Sequence, residues 1–407
     1  MEEHIFGNKL KLIYRETESE LTSICISVDA GAGVENGKYG LAHATEHMVY
    51  KGTRNRSEKE INEDLANIFG FNNAMTNYPY VIYYGTLLKY DLEKSIELLS
   101  DIIMYPTFPE GGFEEEMAVI KEEFEEWDEE LEQYCEDKLF FNSFKNRRIK
   151  YPIIGTKESL NQINLNDIKE FYSKYYFPEN ISIVIISSID FNRVKKIVGE
   201  YFGKWNSSKN KNKIANIDYE ISSDDIFTDV KKGIKTSRVE IICPIDKLND
   251  NEMRALRIFD QYFGEGVNSI LYDTLRTQNG LVYDVLTKIS NENYMKIYKI
   301  TFNTSKENVE KAIELVKECI ERLTLLSNNV GVNTIRKLIK NFKIKRLFRE
   351  EQSIVLAKEL ATYDTMFGDY KIYVGEIEEL EMLTRKDIFE TGIKVLENLT
   401  IQIIEGE

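Results

Sequence analysis

Residues 40–53 read GLAHATEHMVYKGT, and this short stretch holds two of the three histidines in the chain. His43 and His47 are four apart, a spacing that stacks side chains on one helical face and lets both imidazoles aim at a single point. Glu46 follows His43 by three residues on nearly the same face, close enough to reach a water held at that point without binding there itself. The pattern H-x-x-E-H is the inverted form of H-E-x-x-H, in which two neutral imidazoles hold zinc and the glutamate serves as general base. A catalytic zinc also wants a third protein ligand and an open position for water. The remaining histidine, His4, stands alone and takes no role, so the third ligand has to be a carboxylate or a distant cysteine.

Carboxylates are plentiful in EEEMAVIKEEFEEWDEE (Glu114 to Glu130), most of them on a solvated face. Val119, Ile120 and Phe124 mark the side of this helix expected to be buried, and Glu116 and Glu123, seven apart, flank them on one face. Either can turn inward. Cys25, Cys135, Cys243 and Cys319 are scattered without a C-x-x-C pair, which speaks against a thiolate metal site or a disulfide framework. The segment GAGVENGK (Gly31 to Lys38) follows a strand and precedes a helix, as a phosphate-binding loop would. Its glycines are wrongly spaced and Lys38 is followed by Tyr39 rather than Ser or Thr, so it reads as a connecting loop.

These residues need a scaffold to position them. A chain of 407 residues exceeds one ordinary domain, and 42% hydrophobic with 30% charged residues is the composition of a soluble globular protein. A net charge of −16 argues against nucleic acid, which is met by a basic surface that releases counterions. No apolar run reaches the length of a membrane span, so no membrane partner is expected. The opening MEEHIFGNKLKLIYRETE has no basic segment ahead of an apolar run; with no secretory signal and no paired cysteines, the expected home is cytoplasmic.

The chain also repeats itself. LEKSIELLSDII, from Leu92, returns as VEKAIELVKECI from Val309, 217 positions on. DIKEFYSKYYFPENISIVII, from Asp167, is echoed by DIFETGIKVLENLTIQII from Asp387, 220 positions on. Two matches at nearly one offset imply a duplicated domain, residues 1–208 and 222–407, with polar NSSKNKNK (residues 206–213) as linker. In the first copy the patterning predicts strands over Lys9–Arg15, Thr22–Val28, Phe71–Thr76, Tyr80–Leu88 and Ile181–Ser187. It predicts helices over Tyr39–Tyr50, Glu58–Phe69, Leu92–Met104 and Phe191–Phe202, and one long helix over Glu110–Tyr134. Strands and helices in runs give an α+β class: two duplicated α/β-sandwich domains, each a mostly antiparallel sheet packed with helices. The 217-residue offset carries His43 onto Asp260, in RIFDQYFGEG, where no H-x-x-E-H stands, so one zinc per chain is expected.

At this point GLAHATEHMVYKGT resembles the active-site helix of the pitrilysin/insulinase family of zinc metallopeptidases, particularly its processing-peptidase-like branch of two-domain chains. In that family a glutamate some eighty residues beyond the first histidine completes the ligand set, and another, seven residues earlier, orients the site. The resemblance thus implies Glu123 as third ligand beside His43 and His47, Glu116 as the partner that tunes them, and Zn2+ as cofactor. NAMTNYPYVIYYGTLL (Asn73 to Leu88) resembles the family's N-A-x-T strand, an exposed edge to which substrate peptide adds, which implies substrate contacts at Asn73 and Ala74. LRTQNGLVYDV (Leu275 to Val285) resembles the family's L-R-E-x-x-G-L-x-Y stretch, with Thr277 where Glu is common. Arg276 and Tyr283 would then donate to the substrate carbonyl or its oxyanion.

The implied function is a zinc-dependent endopeptidase that cleaves peptides in an enclosed chamber, with Glu46 as general base. Because one chain carries both the zinc set and the Arg276/Tyr283 pair, a homodimer whose copies complete each other's sites is expected, a heterodimer with a related chain being the other assembly. The competing readings are a non-catalytic supporting subunit of a heterodimeric processing peptidase and, more distantly, a small-molecule metallohydrolase.

Overall fold

In the computed structural model, which describes residues 1–206, 217 and 219–406, two sheets organise the chain. Residues 207–213 of the predicted linker lie outside that description. The first sheet has six strands: β1 Glu2–Ile5, β2 Lys11–Glu16, β3 Leu21–Val28, β4 Phe69–Thr76, β5 Val81–Leu88 and β6 Ile181–Ser187, in the order β1-β2-β6-β3-β5-β4. In β3 (LTSICISV) and β6 (ISIVIIS) nearly every residue is buried, so both belong in the middle of the sheet, covered on both faces. Strand β4 (FGFNNAMT) is half exposed and, among the described residues, pairs only with β5, which puts it at the edge.

The second sheet has five strands: β7 Ile226–Lys231, β8 Ser237–Pro244, β9 Val282–Glu292, β10 Met295–Thr304 and β11 Thr400–Gly406, in the order β7-β11-β8-β10-β9. That succession is the same as β2-β6-β3-β5-β4. Each sheet has one parallel pair, β2 with β6 and β7 with β11, and is otherwise antiparallel. The fold is thus α+β with two antiparallel-dominated sheets, the class that the patterning predicts.

The helices packed with these sheets include α1 Leu41–Met48, α2 Glu58–Ile68, α3 Leu92–Met104, α4 Glu110–Glu129, α5 Leu131–Ser143, α6 Leu165–Tyr175, α7 Asp250–Phe263, α8 Val309–Glu321, α9 Ser353–Phe367 and α10 Arg385–Val395. The two repeated segments fold alike. Helices α3 and α8 both bury an apolar stripe, and α6 and α10 both start on a capping box, Asn164 with Asp167 and Thr384 with Asp387.

Strand membership follows the two halves of the chain, but helix membership does not. One compact unit comprises Met1–Glu126, Tyr151–Ile217 and Arg349–Val374; the other comprises Trp127–Lys150, Asp218–Phe348 and Gly375–Glu407. Helix α9 therefore lies in the first unit, on β3, β5 and β6, where Leu356, Ala357, Leu360 and Ala361 pack against Ile13, Cys25, Ile82, Val184 and Ile186. Helix α5 lies in the second unit, on β8 and β11. Ion pairs accompany the apolar packing there: Lys299 meets Glu136 at 3.1 Å, Arg238 meets Glu132 at 3.1 Å, and fully buried Glu240 accepts from Arg238 at 2.7 Å.

Several details differ from the sequence-based expectation: Phe69, predicted to end a helix, opens β4, and Phe124 is only half-buried. The helix predicted over Glu110–Tyr134 breaks at Glu130, whose extended backbone (ψ 110°) caps a new helix that buries Cys135, Leu139 and Phe140 in the second unit. Val119 is 42% exposed, because the buried stripe of α4 steps through Met117 and Ile120, and Val119 stands about 100° round the helix from Ile120. All four cysteines are free and buried. No helix among the described residues is long and apolar enough to cross a membrane.

Candidate metal centre

Helix α1 begins where only glycine fits. Gly40, its cap, has φ +93°, and a Cβ there would stand 2.4 Å from the carbonyl oxygen of Ile154. The first amides of the helix are satisfied by buried Glu35, whose carboxylate accepts from Gly40 N at 3.2 Å and Ala42 N at 2.7 Å. The start of α1 is thereby pinned from both sides.

From this helix His43 and His47 turn their Nε2 atoms toward each other, 3.2 Å apart. The Glu123 carboxylate, from α4, approaches both, at 3.8 Å from His43 Nε2 and 3.7 Å from His47 Nε2. The three ligand atoms lie within 4.8 Å of one another, the one such group of histidine, cysteine and carboxylate side chains among the described residues. Tetrahedral zinc with bonds of about 2.0–2.1 Å to nitrogen would hold two such atoms about 3.3 Å apart.

The chemistry of the donors fits as well. Burial pushes His43 down to about 3, with the neighbouring His47 adding to the effect, so its imidazole is neutral, as a ligand must be. Its buried Nδ1 has no partner among the described residues. His47 Nδ1 meets Glu116 Oε2 at 2.8 Å; with the ring donating there, its Nε2 lone pair is aimed at the centre. Burial disfavours the charged form of His47, but Glu116 and the carboxylates of Glu46 and Glu123 outweigh it and raise its pKa. The hydrogen bond from His47 holds Glu116 below the usual carboxylate range, against burial and with help from Lys51. Lys51 is itself almost buried, and it bridges Glu58 at 2.9 Å, Glu115 at 3.1 Å and Glu116 at 3.2 Å.

Glu46 lies on the inner side of α1, 8% exposed, and its Oε2 accepts a 2.6 Å hydrogen bond from Thr76. Burial raises its pKa, the Thr76 bond opposing, so this carboxylate is more basic than one in water. Thr76 ends the edge strand β4, which also carries exposed Asn73 and half-buried Ala74. Glu35, Lys51 and Thr76 stand outside the ligand motif; the only trace of Thr76 in the sequence is its place as the last residue of NAMT.

Arg276 and Tyr283 belong to the second unit and come together there. Arg276 sits on a π-helical turn, Asp273–Gln278, a backbone irregularity frequent at functional sites. Its guanidinium stacks over the Tyr283 ring at 4.7 Å from the centroid and donates to the Tyr272 hydroxyl at 2.5 Å. Tyr283 is 83% exposed, so its phenol faces solvent rather than the core.

Fold and site define a duplicated α+β protein with a His-His-Glu cluster able to hold a metal. The family models place it further. Residues 11–157 match the insulinase (peptidase family M16) model, and residues 162–326 match the peptidase M16 inactive domain. The chain belongs to the pitrilysin/insulinase peptidase family and is processing-peptidase-like. It is 24% identical over 418 residues to an uncharacterized zinc protease of Rickettsia bellii, covering 100% of this chain and 98% of that one. To the uncharacterized zinc protease YmxG of Bacillus subtilis it is 25% identical, over 76% of each chain. To the mitochondrial-processing peptidase subunit beta of Saccharomyces cerevisiae it is 31% identical, over 44% of this chain and 39% of the other. Among solved structures, a protease from Helicobacter pylori superposes with a TM-score of 0.88 at 19% identity, covering 99% of each chain, a likeness of fold.

Proposed function

We propose that the chain is a zinc-dependent endopeptidase. The observation that carries this reading is the convergence of His43, His47 and Glu123 beside a buried carboxylate, Glu46, that is not one of the three. Names of relatives such as zinc protease support it. His43, His47 and Glu123 would hold the ion, which when bound supplies Lewis-acid polarisation of the scissile carbonyl and makes water a better nucleophile at neutral pH. Glu116 orients His47. Glu46 takes a proton from the attacking water and returns it to the leaving amine. The free edge of β4, at Asn73 and Ala74, receives the substrate as an added strand through main-chain hydrogen bonds. Arg276 and Tyr283 donate to the oxyanion that develops on the carbonyl.

The segments 1–208 and 222–407 are the duplicated units in this reading, and the second carries no metal. The working assembly is a homodimer. Mixing the Glu46→Gln and Arg276→Ala chains, each inactive alone, should then restore activity approaching half of wild type per mixed dimer; no recovery despite proven subunit exchange would rule that assembly out. Similarity to processing-peptidase beta subunits favours, as the second reading, a heterodimer with a related chain. Mass spectrometry of a peptide library incubated with the zinc-loaded protein tests the activity itself. Discrete internal cuts that depend on peptide length are expected, and an intact library would reject the peptidase reading.

A further inference from the structure

Glu46 and β4 are joined by a short hydrogen bond, from Thr76 Oγ1 to Glu46 Oε2 at 2.6 Å, with both residues 8% exposed. Thr76 is a stiff donor. It is β-branched, which restricts χ1, and its backbone is held opposite Val81 in the β4–β5 ladder. A carboxylate on a helix can otherwise sample several rotamers, and each rotamer presents a different oxygen to the reacting water. With Oε2 engaged by Thr76, Oε1 is the less encumbered oxygen for taking a proton. The strand that fixes Oε2 is the same one that carries Asn73 and Ala74, three and two residues earlier, on its free edge.

We propose that Thr76 is a positioning residue that sets the Glu46 carboxylate in the register of the edge strand receiving the peptide. Base and substrate would then be referenced to one piece of backbone, so that the water-side oxygen meets the scissile carbonyl whenever the peptide pairs with β4. The inference rests on the peptidase reading above. It adds a residue to which neither the motif nor the family resemblance assigns a role.

The test compares T76V, which keeps the shape and loses the hydroxyl, with T76S, which keeps the hydroxyl. In the zinc-loaded chain T76V should lower kcat by roughly 10- to 100-fold, the scale of a misplaced catalytic group, with KM within about twofold and zinc content unchanged. T76S should stay within a few fold of wild type. Should valine not be accommodated, T76A removes the same hydroxyl. Wild-type kcat in T76V, or T76S as slow as T76V, overturns the proposal. A second readout needs no activity: urea midpoints of T76V, E46A and the double variant should be non-additive, because the two side chains share a bond. Additive midpoints would overturn the proposal too. A wild-type chain that cleaves no peptide rejects the peptidase reading and the catalytic role with it, while the urea cycle still reports whether the bond is made.

Discussion

Helix α1 of the first unit and helix α7 of the second follow equivalent central strands, β3 and β8, in sheets of the same strand succession, yet their polar residues meet opposite fates. On α7 the position 217 residues after His43 is Asp260, 5% exposed, whose Oδ1 accepts from Thr287 and Tyr298, both at 2.7 Å. Its needs are met inside the fold. On α1 the two imidazoles present their Nε2 atoms to each other and to one carboxylate, and His43 Nδ1 has no partner among the described residues. The scaffold is common to both; what differs is whether the polar groups are satisfied from within or left for a guest. Buried polar groups are normally satisfied, so Nε2 atoms that face each other and a carboxylate 3.7–3.8 Å off, beyond hydrogen-bond distance, are the arrangement that points to a ligand.

The comparison breaks most visibly on the metal. A strong chelator should abolish peptidase activity, and zinc at one equivalent per chain should restore it. Two equivalents bound tightly would mean that the second unit also holds metal. Within the first unit, Glu123→Gln should weaken zinc by more than roughly 100-fold and Glu116→Gln by roughly 10- to 100-fold, read by competition with a metal indicator, since a lost ligand costs more than a lost orienting partner. The reverse order would exchange their roles.

In the second unit the effect is one of pH. Burial lifts Asp260 to about 6, against the two hydrogen bonds, from an unfolded value of about 4. Its contribution to stability is therefore fully present below about pH 4 and is lost as pH rises through about 6. Asparagine does not ionise, so Asp260→Asn should gain on wild type between about pH 4 and pH 7, by up to about 3 kcal/mol, seen in urea midpoints. A difference independent of pH would contradict this. Last, Gly40→Ala should cost about 1–3 kcal/mol in thermal or urea unfolding, because its φ is left-handed and its Cβ would meet the Ile154 carbonyl. An unchanged midpoint would show that the start of α1 is not pinned there.

Much of this architecture could be read before any coordinates. The repeated helices α3 and α8, and α6 and α10, have periodicities that specify both element and burial, and the four-residue histidine spacing is enough to put both rings on one face. Other features depend on tertiary partners that no local pattern encodes. Glu116 and Glu123 share a face of α4, and only the position of α1 separates a carboxylate that meets Nδ1 from one that meets Nε2. Val119 looks apolar enough for a core, but its angle on the helix leaves it in solvent. That α9 covers the first sheet and α5 the second was not legible either. The apolar stripe of α9 and the mixed apolar and charged face of α5 each find a complementary sheet face, and the choice of sheet is made by the fold rather than by the stripe. Thr76, Lys51 and Glu35 act through side-chain contacts with partners 30, 7 to 65, and 5 to 7 positions away respectively, and such contacts have no period.

Glu46 carries the central claim, because it alone separates holding a metal from using it. The decisive measurement pairs zinc content with peptide turnover in Glu46→Gln. About one zinc per chain, as in wild type, is expected, with turnover reduced by at least roughly 100-fold, the contribution typical of a positioned general base. Wild-type turnover in that variant would contradict the account, as would loss of the metal together with the activity.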